Sequence, residues 1–229
     1  MLLDLSESLV CPRCGPPQGL VVLVEEMDGR RIATGRLDCP ACEQRFPLAA
    51  GVLDFREAAA RASSSEESPG SGSDEVPSAA TRNDADSVLV AALFGIRDRR
   101  GVLVVGPGLG ESAPAIAELS GGCEVLFVEG LAADSDRGAP EHVPAGVEAG
   151  SVTSLRGVAG DAVPLLPGRA LGVALVDADV GEIDEAARVL SPGGRLVVLR
   201  PESPATVLDG DPRFEPIARE ERAVVARRT

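Results

Sequence analysis

Five short apolar runs alternate with helix-like stretches over the last two thirds of the chain. Each run lacks the polar alternation of a half-exposed strand, which is typical of parallel strands buried on both faces. The runs are residues 101–105, 125–128, 155–159, 171–176 and 195–199. Between them, residues 111–119 and 182–190 have the pattern of crossover helices. Strands and helices in this order predict an α/β fold with an open, doubly wound, Rossmann-like sheet.

Composition divides the chain into three parts. Residues 57–86 are rich in Ser, Gly, Pro and acidic residues, and they hold too few large apolar side chains to offset the entropy of ordering. We interpret them as a flexible acidic linker. The linker separates a small module at residues 1–56 from the α/β domain at residues 87–229.

The first module has the pattern of a β-rich unit. Residues 20–24 and 31–37 are apolar runs on either side of a turn at Asp28 and Gly29, so they predict a β-hairpin. A module of this length buries too little apolar surface to be comfortably stable by itself. A further source of stability is therefore expected within it.

Charge and aromatic content narrow the partners. The 229-residue chain has a formal net charge of -14 and contains no Lys, Trp or Tyr. An acidic surface repels phosphate backbones, and few side chains are left to stack on bases, so nucleic-acid binding is disfavoured. No apolar run is long enough for a membrane-spanning helix, and the first residues carry acids where a secretory signal carries basic residues. We therefore expect a cytoplasmic protein with no membrane partner.

Four of the five cysteines form two CxxC pairs, Cys11 with Cys14 and Cys39 with Cys42. Each pair fits a tight turn, and the hairpin between the pairs brings all four thiolates to one tetrahedral ion. Two disulfides would need a secretory context, and a redox-active CxxC would predict a single pair in a thioredoxin-like unit. The spacing therefore predicts a structural Zn²⁺ site, closed by four protein ligands, that folds the module and takes no part in chemistry. The fifth cysteine, Cys123, is interpreted as a small buried residue.

The residues around this site carry a resemblance. After the second CxxC come Phe46-Pro47-Leu48 and then Gly51-Val52-Leu53. This pattern resembles the zinc-ribbon family that includes the small activator subunit of tRNA, rRNA and protein methyltransferases, except that the final Pro of the family pattern is missing. The resemblance implies a zinc ribbon, a module that also occurs in front of bacterial methyltransferase domains.

A glycine loop follows the first predicted strand of the α/β domain. Gly106, Gly108 and Gly110 form a GxGxG pattern, which is used by S-adenosylmethionine (SAM) enzymes. The dinucleotide pattern GxGxxG would need Gly where Glu111 stands, and a negative charge there would repel a pyrophosphate. Glu129 ends the second predicted strand, where a carboxylate can accept hydrogen bonds from both ribose hydroxyls. The glycine pattern with Glu111 favours SAM over a dinucleotide, and Glu129 agrees with a ligand that contains a ribose.

Further motifs follow in a recognisable order. Asp161 and Ala162 come after the third predicted strand, a Pro-Gly-Gly turn lies at residues 192–194, and residues 214–227 suit a closing β-hairpin. The ordered set resembles the class I SAM-dependent methyltransferases, particularly the branch of ubiquinone and menaquinone C-methyltransferases. The resemblance implies SAM as cofactor, with the following residues in contact with it: Gly106, Gly108, Gly110, Glu129, Asp161 and Ala162.

The chain departs from that family at two positions. Val104 stands two residues before the first glycine, where the family usually has an acid that organises the amino group of SAM. Pro107 replaces a small residue of the loop and removes a backbone N–H donor. These departures indicate a reduced or degenerate domain.

Candidate catalytic residues are few. Asp177 and Asp179 follow the fourth predicted strand, at the edge of the sheet where substrates bind in such folds, and either can act as a base. The alternative is that they cap the next helix. His142 is the single histidine and lies in a Gly- and Pro-rich stretch, which disfavours a catalytic role.

Two functions stay open from the sequence. The first is a SAM-dependent methyltransferase with a fused zinc ribbon, acting on a small-molecule or protein acceptor. The second is a non-catalytic, degenerate methyltransferase that binds or activates a partner methyltransferase. An NAD-linked oxidoreductase is disfavoured because of Glu111.

Overall fold

Eleven strands form one mixed sheet in the described part of the chain. The computed structural model describes residues 1–56, 79–96, 101–121, 123–129, 152–158, 162–201, 208 and 210–229. The first four strands are β1 (Val21–Asp28), β2 (Arg31–Asp38), β3 (Arg45–Ala49) and β4 (Val52–Asp54). The other seven are β5 (Val102–Val105), β6 (Glu124–Val128), β7 (Val152–Arg156), β8 (Ala170–Val176), β9 (Leu190–Leu199), β10 (Phe214–Glu220) and β11 (Ala223–Arg228).

Strand order confirms the doubly wound α/β prediction. The sheet runs β1-β2-β3-β4-β7-β6-β5-β8-β9-β11-β10. The strands β7, β6, β5, β8 and β9 are parallel to one another, and in chain order they read third, second, first, fourth, fifth, as in a dinucleotide-binding sheet. β10 and β11 form the predicted closing hairpin, and β11 pairs antiparallel with β9.

Four helices accompany the sheet in the described ranges: α1 (Leu3–Ser6), α2 (Ala79–Phe94), α3 (Ala113–Leu119) and α4 (Val180–Val189). None of these helices is long and apolar enough to cross a membrane. Buried side chains of α2 and α3 pack in one core layer, whereas those of α4 pack in the other. Strand β5 divides its side chains between the layers, because Leu103 and Val105 face α2 and α3 while Val102 and Val104 face the opposite side.

Several boundaries differ from the sequence prediction. Helix α2 begins at Ala79, so it includes residues 79–86 of the predicted linker. Residues 57–78 of that linker lie outside the described residues. α3 begins at Ala113 rather than at residue 111, since a turn continues through Ser112, whose N–H donates to the Leu109 carbonyl.

The prediction also misplaced the parallel strand that is third in chain order. β7 spans Val152–Arg156, three residues before the predicted run 155–159. It ends at Arg156 because Gly157 adopts a φ of +67°, which turns the chain out of the strand. The apolar pattern did not mark this strand because its first half contains a polar residue. Thr153 is fully buried there and donates its hydroxyl hydrogen to the Glu124 carboxylate over 2.6 Å.

The first module joins the larger sheet directly. β1 and β2 form the predicted antiparallel hairpin, and β3 and β4 continue it. β4 then pairs in parallel with β7, placing Leu53 beside Leu155 and Asp54 beside Arg156. Residues of the module such as Leu9 and Leu37 are buried in the same core layer as α4. The module therefore extends the α/β sheet at its third strand.

Candidate functional site

Four cysteines converge at the start of the chain. The Sγ atoms of Cys11 and Cys42 are 3.6 Å apart, and those of Cys14 and Cys39 are 3.9 Å apart. All four sulfurs lie within 4.8 Å of one another. A tetrahedral zinc ion with Zn–S bonds of about 2.3 Å needs sulfurs separated by about 3.8 Å. The sulfur positions therefore fit a closed tetrathiolate zinc site, and no ligand position is left for a substrate.

The two knuckles have matching backbone geometry. Gly15 donates its N–H to the Cys11 carbonyl and Glu43 donates its N–H to the Cys39 carbonyl, both over 2.9 Å. Gly15 and Glu43 both have a positive φ, of +68° and +59°. Each CxxC pair thus sits in the same kind of tight turn, which directs both thiols of the pair to one point.

The thiols depend on one another electrostatically. Burial raises the pKa of the Cys39 thiol, but hydrogen bonds from the backbone N–H groups of Cys42 and Ala41 and from the thiols of Cys42 and Cys11 together lower this pKa to about 7. Interaction with the thiol of Cys42 raises the pKa of Cys14 to about 12. Ionisation of one thiol is therefore favoured and ionisation of a second thiol is opposed. A bound divalent cation would stabilise the thiolates together.

The glycine loop lies at the carboxyl end of β5. The Gly106 N–H donates to the Ala174 carbonyl over 2.9 Å, which ties the start of the loop to β8. Gly108 has a φ of +84°, a conformation that L-side chains rarely adopt. A Cβ atom on Gly110 would lie 2.7 Å from the ring of Phe127, which is buried on β6. Both later glycines of the loop are therefore required by its backbone path.

The loop and Glu129 occupy neighbouring strand ends. β5 lies between β6 and β8, so the chain reverses its direction across the sheet at the loop. Open α/β sheets bind ligands in the crevice at such a switch point. Glu129 follows β6 directly and its N–H donates to the Leu155 carbonyl of β7. The structure thus brings Gly106, Gly108, Gly110 and Glu129 to one edge of the sheet.

Glu129 has a partner that the sequence prediction missed. The Nε atom of Arg156 lies 3.0 Å and 3.3 Å from the two carboxylate oxygens of Glu129. Beside this pair, Arg56 donates to Asp54 through its backbone N–H and its guanidinium group. The Asp54 carboxylate raises the pKa of Arg56, with a smaller contribution from Glu129. Two arginines and two acids therefore share the edge where β4, β7 and β6 end.

The structure describes only one of the two residues predicted to contact adenine. Asp161 lies outside the described residues, and Ala162 is exposed. Beyond Ala162, the Val163 N–H donates to Glu185 over 2.6 Å, and Arg188 donates to the carbonyls of Val163 and Leu165. The sequence prediction did not include these contacts from α4, although the i,i+3 spacing of Glu185 and Arg188 on a helix indicates an ion pair.

The two candidate catalytic acids differ in role. Asp179 caps α4 in a capping box, since it accepts from the Glu182 N–H over 2.8 Å and Glu182 accepts from its N–H in return. The capping alternative is therefore correct for Asp179. Asp177 is exposed at the end of β8 with a φ of +50°, an unusual backbone conformation that clusters at functional sites. Of the two, Asp177 remains a candidate for contact with an acceptor. His142 lies outside the described residues.

The two departures from the family pattern have structural counterparts. Val104 is fully buried in the core layer of α4, so its position contributes no polar group to the crevice. Pro107 is half-buried between Gly106 and Gly108, and it offers the crevice no N–H donor. These two positions therefore supply neither the acid nor the backbone N–H that the family pattern implies.

Several solved structures that are similar to this chain are methyltransferases. The antibiotic-resistance methyltransferase Kmr shares 19% identity over 62% of this chain and 92% of its own, with a TM-score of 0.40. TrmN from Thermus thermophilus shares 20% identity over 69% of this chain and 55% of its own, with a TM-score of 0.43. An S-adenosyl-L-methionine methyl transferase from Silicibacter pomeroyi DSS-3 shares 16% identity over 68% and 100%, with a TM-score of 0.33.

At TM-scores this low, the fold class rests on the strand order, and the likenesses carry no argument about activity. No family model matches the sequence, and no curated protein matches it.

Proposed function

We propose that the chain is a SAM-dependent methyltransferase with a structural zinc ribbon as part of its sheet. One observation carries the proposal: a GxGxG loop and an acidic residue occupy the ends of the adjacent strands β5 and β6, at the switch point of a doubly wound sheet. A ligand with a flexible amino-acid end and a ribose fits that pair of features. Glu111, at the third position that a dinucleotide pattern reserves for Gly, favours SAM over NAD.

Each predicted contact has an assigned part in this proposal. The loop from Gly106 to Gly110 faces the methionine end of SAM, and Glu129 accepts hydrogen bonds from the ribose hydroxyls. Asp161 and Ala162 contact adenine. With no Trp or Tyr in the chain, the walls around adenine are aliphatic or Phe.

The reaction asks little of the side chains. Bound SAM would supply a methyl group on a sulfonium, with the sulfur as its leaving group, and the residues assigned above would hold it beside the acceptor. Much of the rate comes from holding the two reactants in line. If the acceptor atom carries a proton at neutral pH, that proton must go to a base, and Asp177 is the exposed carboxylate at the end of β8 that can accept it. The zinc site takes no part in these steps because its four ligands close it.

The acceptor class is proposed from charge. A net charge of -14 and the absence of Lys, Trp and Tyr favour a small-molecule or protein acceptor over a nucleic acid. The resemblance to quinone C-methyltransferases supports a small apolar acceptor, and the resemblance to the activator subunit supports a protein-contacting role for the ribbon.

A second function is favoured by one specific observation. The carboxylate of Glu129, the predicted ribose contact, is already paired with Arg156. Val104 and Pro107, which depart from the family pattern, agree with a decayed site. Under this alternative, the chain is a degenerate methyltransferase that binds a partner methyltransferase and does not turn over SAM.

Ligand choice tests the proposal. Zinc-loaded protein is dialysed to equilibrium against radiolabelled SAM, and unlabelled S-adenosylhomocysteine and NAD are added separately as competitors. We expect S-adenosylhomocysteine to displace the label and NAD to leave it bound. Displacement by NAD would contradict the assignment of the site, and the absence of bound label together with co-purification of an intact methyltransferase would favour the partner function.

A further inference from the structure

We propose that the methyl acceptor is a small molecule with a carboxylate group, and that Arg200 and Arg222 bind this carboxylate beside the cofactor crevice. The inference rests on the proposed function, because it places the second substrate at the same edge of the sheet as SAM. It narrows the acceptor class and adds two residues that determine specificity.

The edge that carries the glycine loop continues across β8 and β9. A Cβ atom on Gly108 would lie 3.4 Å from the side chain of Val176, the last residue of β8. The next residue, Asp177, donates its N–H to the carbonyl of Leu199, the last residue of β9, over 3.1 Å. The strands β5, β8 and β9 are parallel, so their carboxyl ends meet at this edge. Residues that follow β9 therefore lie on the same edge as the loop and Asp177.

Two arginines lie at the carboxyl end of β9. Arg200 is the first residue after β9, and its N–H donates to the Arg222 carbonyl over 2.9 Å. Arg222 belongs to the turn between β10 and β11, and the antiparallel pairing of β11 with β9 brings that turn to this end. The side chain of Arg200 is 47% exposed and that of Arg222 is 69% exposed. Both guanidinium groups are therefore accessible to a dissolved ligand.

A buried acid on α2 holds the two guanidinium groups together. The side chain of Asp86 is 6% exposed, and its Oδ2 atom lies 2.5 Å from Nη2 of Arg200. Its Oδ1 atom lies 3.7 Å from Nη2 of Arg222. Among the residues that the structure describes, Asp86 is the one acid that pairs with either arginine. Two positive charges thus share one negative charge, and a surplus of one positive charge faces solvent.

This surplus matches a carboxylate. A guanidinium group presents its N–H donors in a planar fork that fits the two oxygens of a carboxylate. A carboxylate carries a single negative charge, whereas a phosphate monoester carries about two near neutral pH. The rest of the acceptor is left free to be apolar, as the resemblance to quinone C-methyltransferases implies.

The position of the arginines suits the acceptor better than the cofactor. Under the proposed function, SAM extends from Glu129 after β6 to the loop after β5, which leaves the ends of β8 and β9 for the second substrate. Asp177 and Arg200 leave these two strands with φ values of +50° and +49°. Such strained conformations cluster at functional sites. Neighbouring strands are about 4.8 Å apart, so a small molecule held by Arg200 reaches Asp177.

Ligand-observed NMR titrations test the inference on the zinc-loaded full chain saturated with S-adenosylhomocysteine. The probes are benzoate, phenylacetate and hexanoate, each compared with its primary amide. We expect a carboxylate to bind at least about tenfold more tightly than its amide, which is the effect of one hydrogen bond to a charged group. Equal binding within every pair, or no binding by any carboxylate, would overturn the inference.

Variants assign the preference to the two arginines. Arg200→Gln should abolish the preference for carboxylates, and Arg222→Gln should reduce it by about threefold, with little effect on stability because its side chain is mostly exposed. Arg227→Gln is the matched control, since this arginine of β11 is also exposed but lies beside Arg195, at the opposite end of β9. A preference that survives in both Arg200→Gln and Arg222→Gln would contradict the assignment.

A further titration separates the acceptor from SAM, which has a carboxylate of its own. Calorimetry compares S-adenosylhomocysteine with methylthioadenosine, which lacks the amino-acid end, in the wild type and in Arg222→Gln. We expect the variant to bind both as the wild type does, whereas a loss confined to S-adenosylhomocysteine would give the arginines to the cofactor and overturn the acceptor role. Wild-type protein that binds S-adenosylhomocysteine but prefers no carboxylate would overturn this inference alone. Wild-type protein that binds no S-adenosylhomocysteine would overturn the proposed function as well.

Discussion

The Nε atom of Arg156 lies between the two carboxylate oxygens of Glu129, at 3.0 Å and 3.3 Å. A ribose presents its two hydroxyls to a carboxylate from the same direction. The side chain of Arg156 is about one third exposed, so it has solvent to move into. Under the proposed function, the ribose hydroxyls would compete with Arg156 for these oxygens, and the ion pair would lower the affinity of the site for its ligand.

Removal of Arg156 should tighten ligand binding. A partly exposed ion pair is worth up to about 1 kcal/mol, so Arg156→Ala should strengthen S-adenosylhomocysteine binding by up to about fivefold. Calorimetry measures the change, with Arg227→Ala as control because its pair with Glu215 is exposed and distant in the chain. Weaker binding in Arg156→Ala would mean that Arg156 supports the ligand instead of competing with it.

A methyl group at Gly110 should disrupt the loop. Because its Cβ would meet the Phe127 ring at 2.7 Å, Gly110→Ala should displace the loop or the ring at a cost of about 1–3 kcal/mol in unfolding free energy. We expect denaturant unfolding to show that loss and calorimetry to show weaker S-adenosylhomocysteine binding. Gly19→Ala is the control, since nothing lies within 4 Å of its added Cβ. Equal behaviour of the two variants would contradict the described path of the loop.

Zinc should protect four thiols and leave the fifth to burial. Native protein should contain one zinc per chain and react with Ellman's reagent only after a chelator is added. Four thiols should then react, because loss of the ion opens the two knuckles and exposes Cys11 and Cys39, whereas Cys123 stays buried within the core layer of α3. Metal analysis and the thiol count check this together. Fewer than half an equivalent of zinc in protein purified without chelator would count against the site.

The two acids after β8 should differ in what they contribute to stability. Asp179→Ala removes the cap of α4 and should cost about 1 kcal/mol in unfolding free energy, without changing S-adenosylhomocysteine affinity. Asp177→Asn keeps a residue that tolerates a positive φ and should leave stability nearly unchanged. Denaturant unfolding compares the variants. A larger loss of stability for Asp177→Asn than for Asp179→Ala would reverse the roles assigned to them.

The sequence predicted an element correctly where one class of side chain, apolar residues or cysteines, is enough to mark it. The apolar runs at β5, β6 and β8 were predicted within one residue of their observed ends, because a strand buried on both faces leaves no other pattern. The two CxxC pairs likewise predicted the sulfur cluster. β7 was misplaced because its buried Thr153 and Ser154 are polar.

Contacts between distant residues were beyond reach of the sequence. The pair of Arg156 and Glu129 depends on the strand register that aligns β6 with β7. The pairing of Val10 with Pro164 uses backbone atoms alone, so no side-chain pattern marks it. Both contacts follow from tertiary packing, and the pair of Arg156 and Glu129 bears directly on the proposed site.

The binding of S-adenosylhomocysteine tests the central claim most directly. Calorimetry suits a chain without Trp or Tyr, and the titration compares zinc-loaded wild type with Glu129→Gln. We expect one binding site in the wild type and at least about tenfold weaker binding in the variant, because hydrogen bonds to a charged group contribute about 1.5–3 kcal/mol. Wild-type protein that binds no S-adenosylhomocysteine at high micromolar ligand would contradict the account.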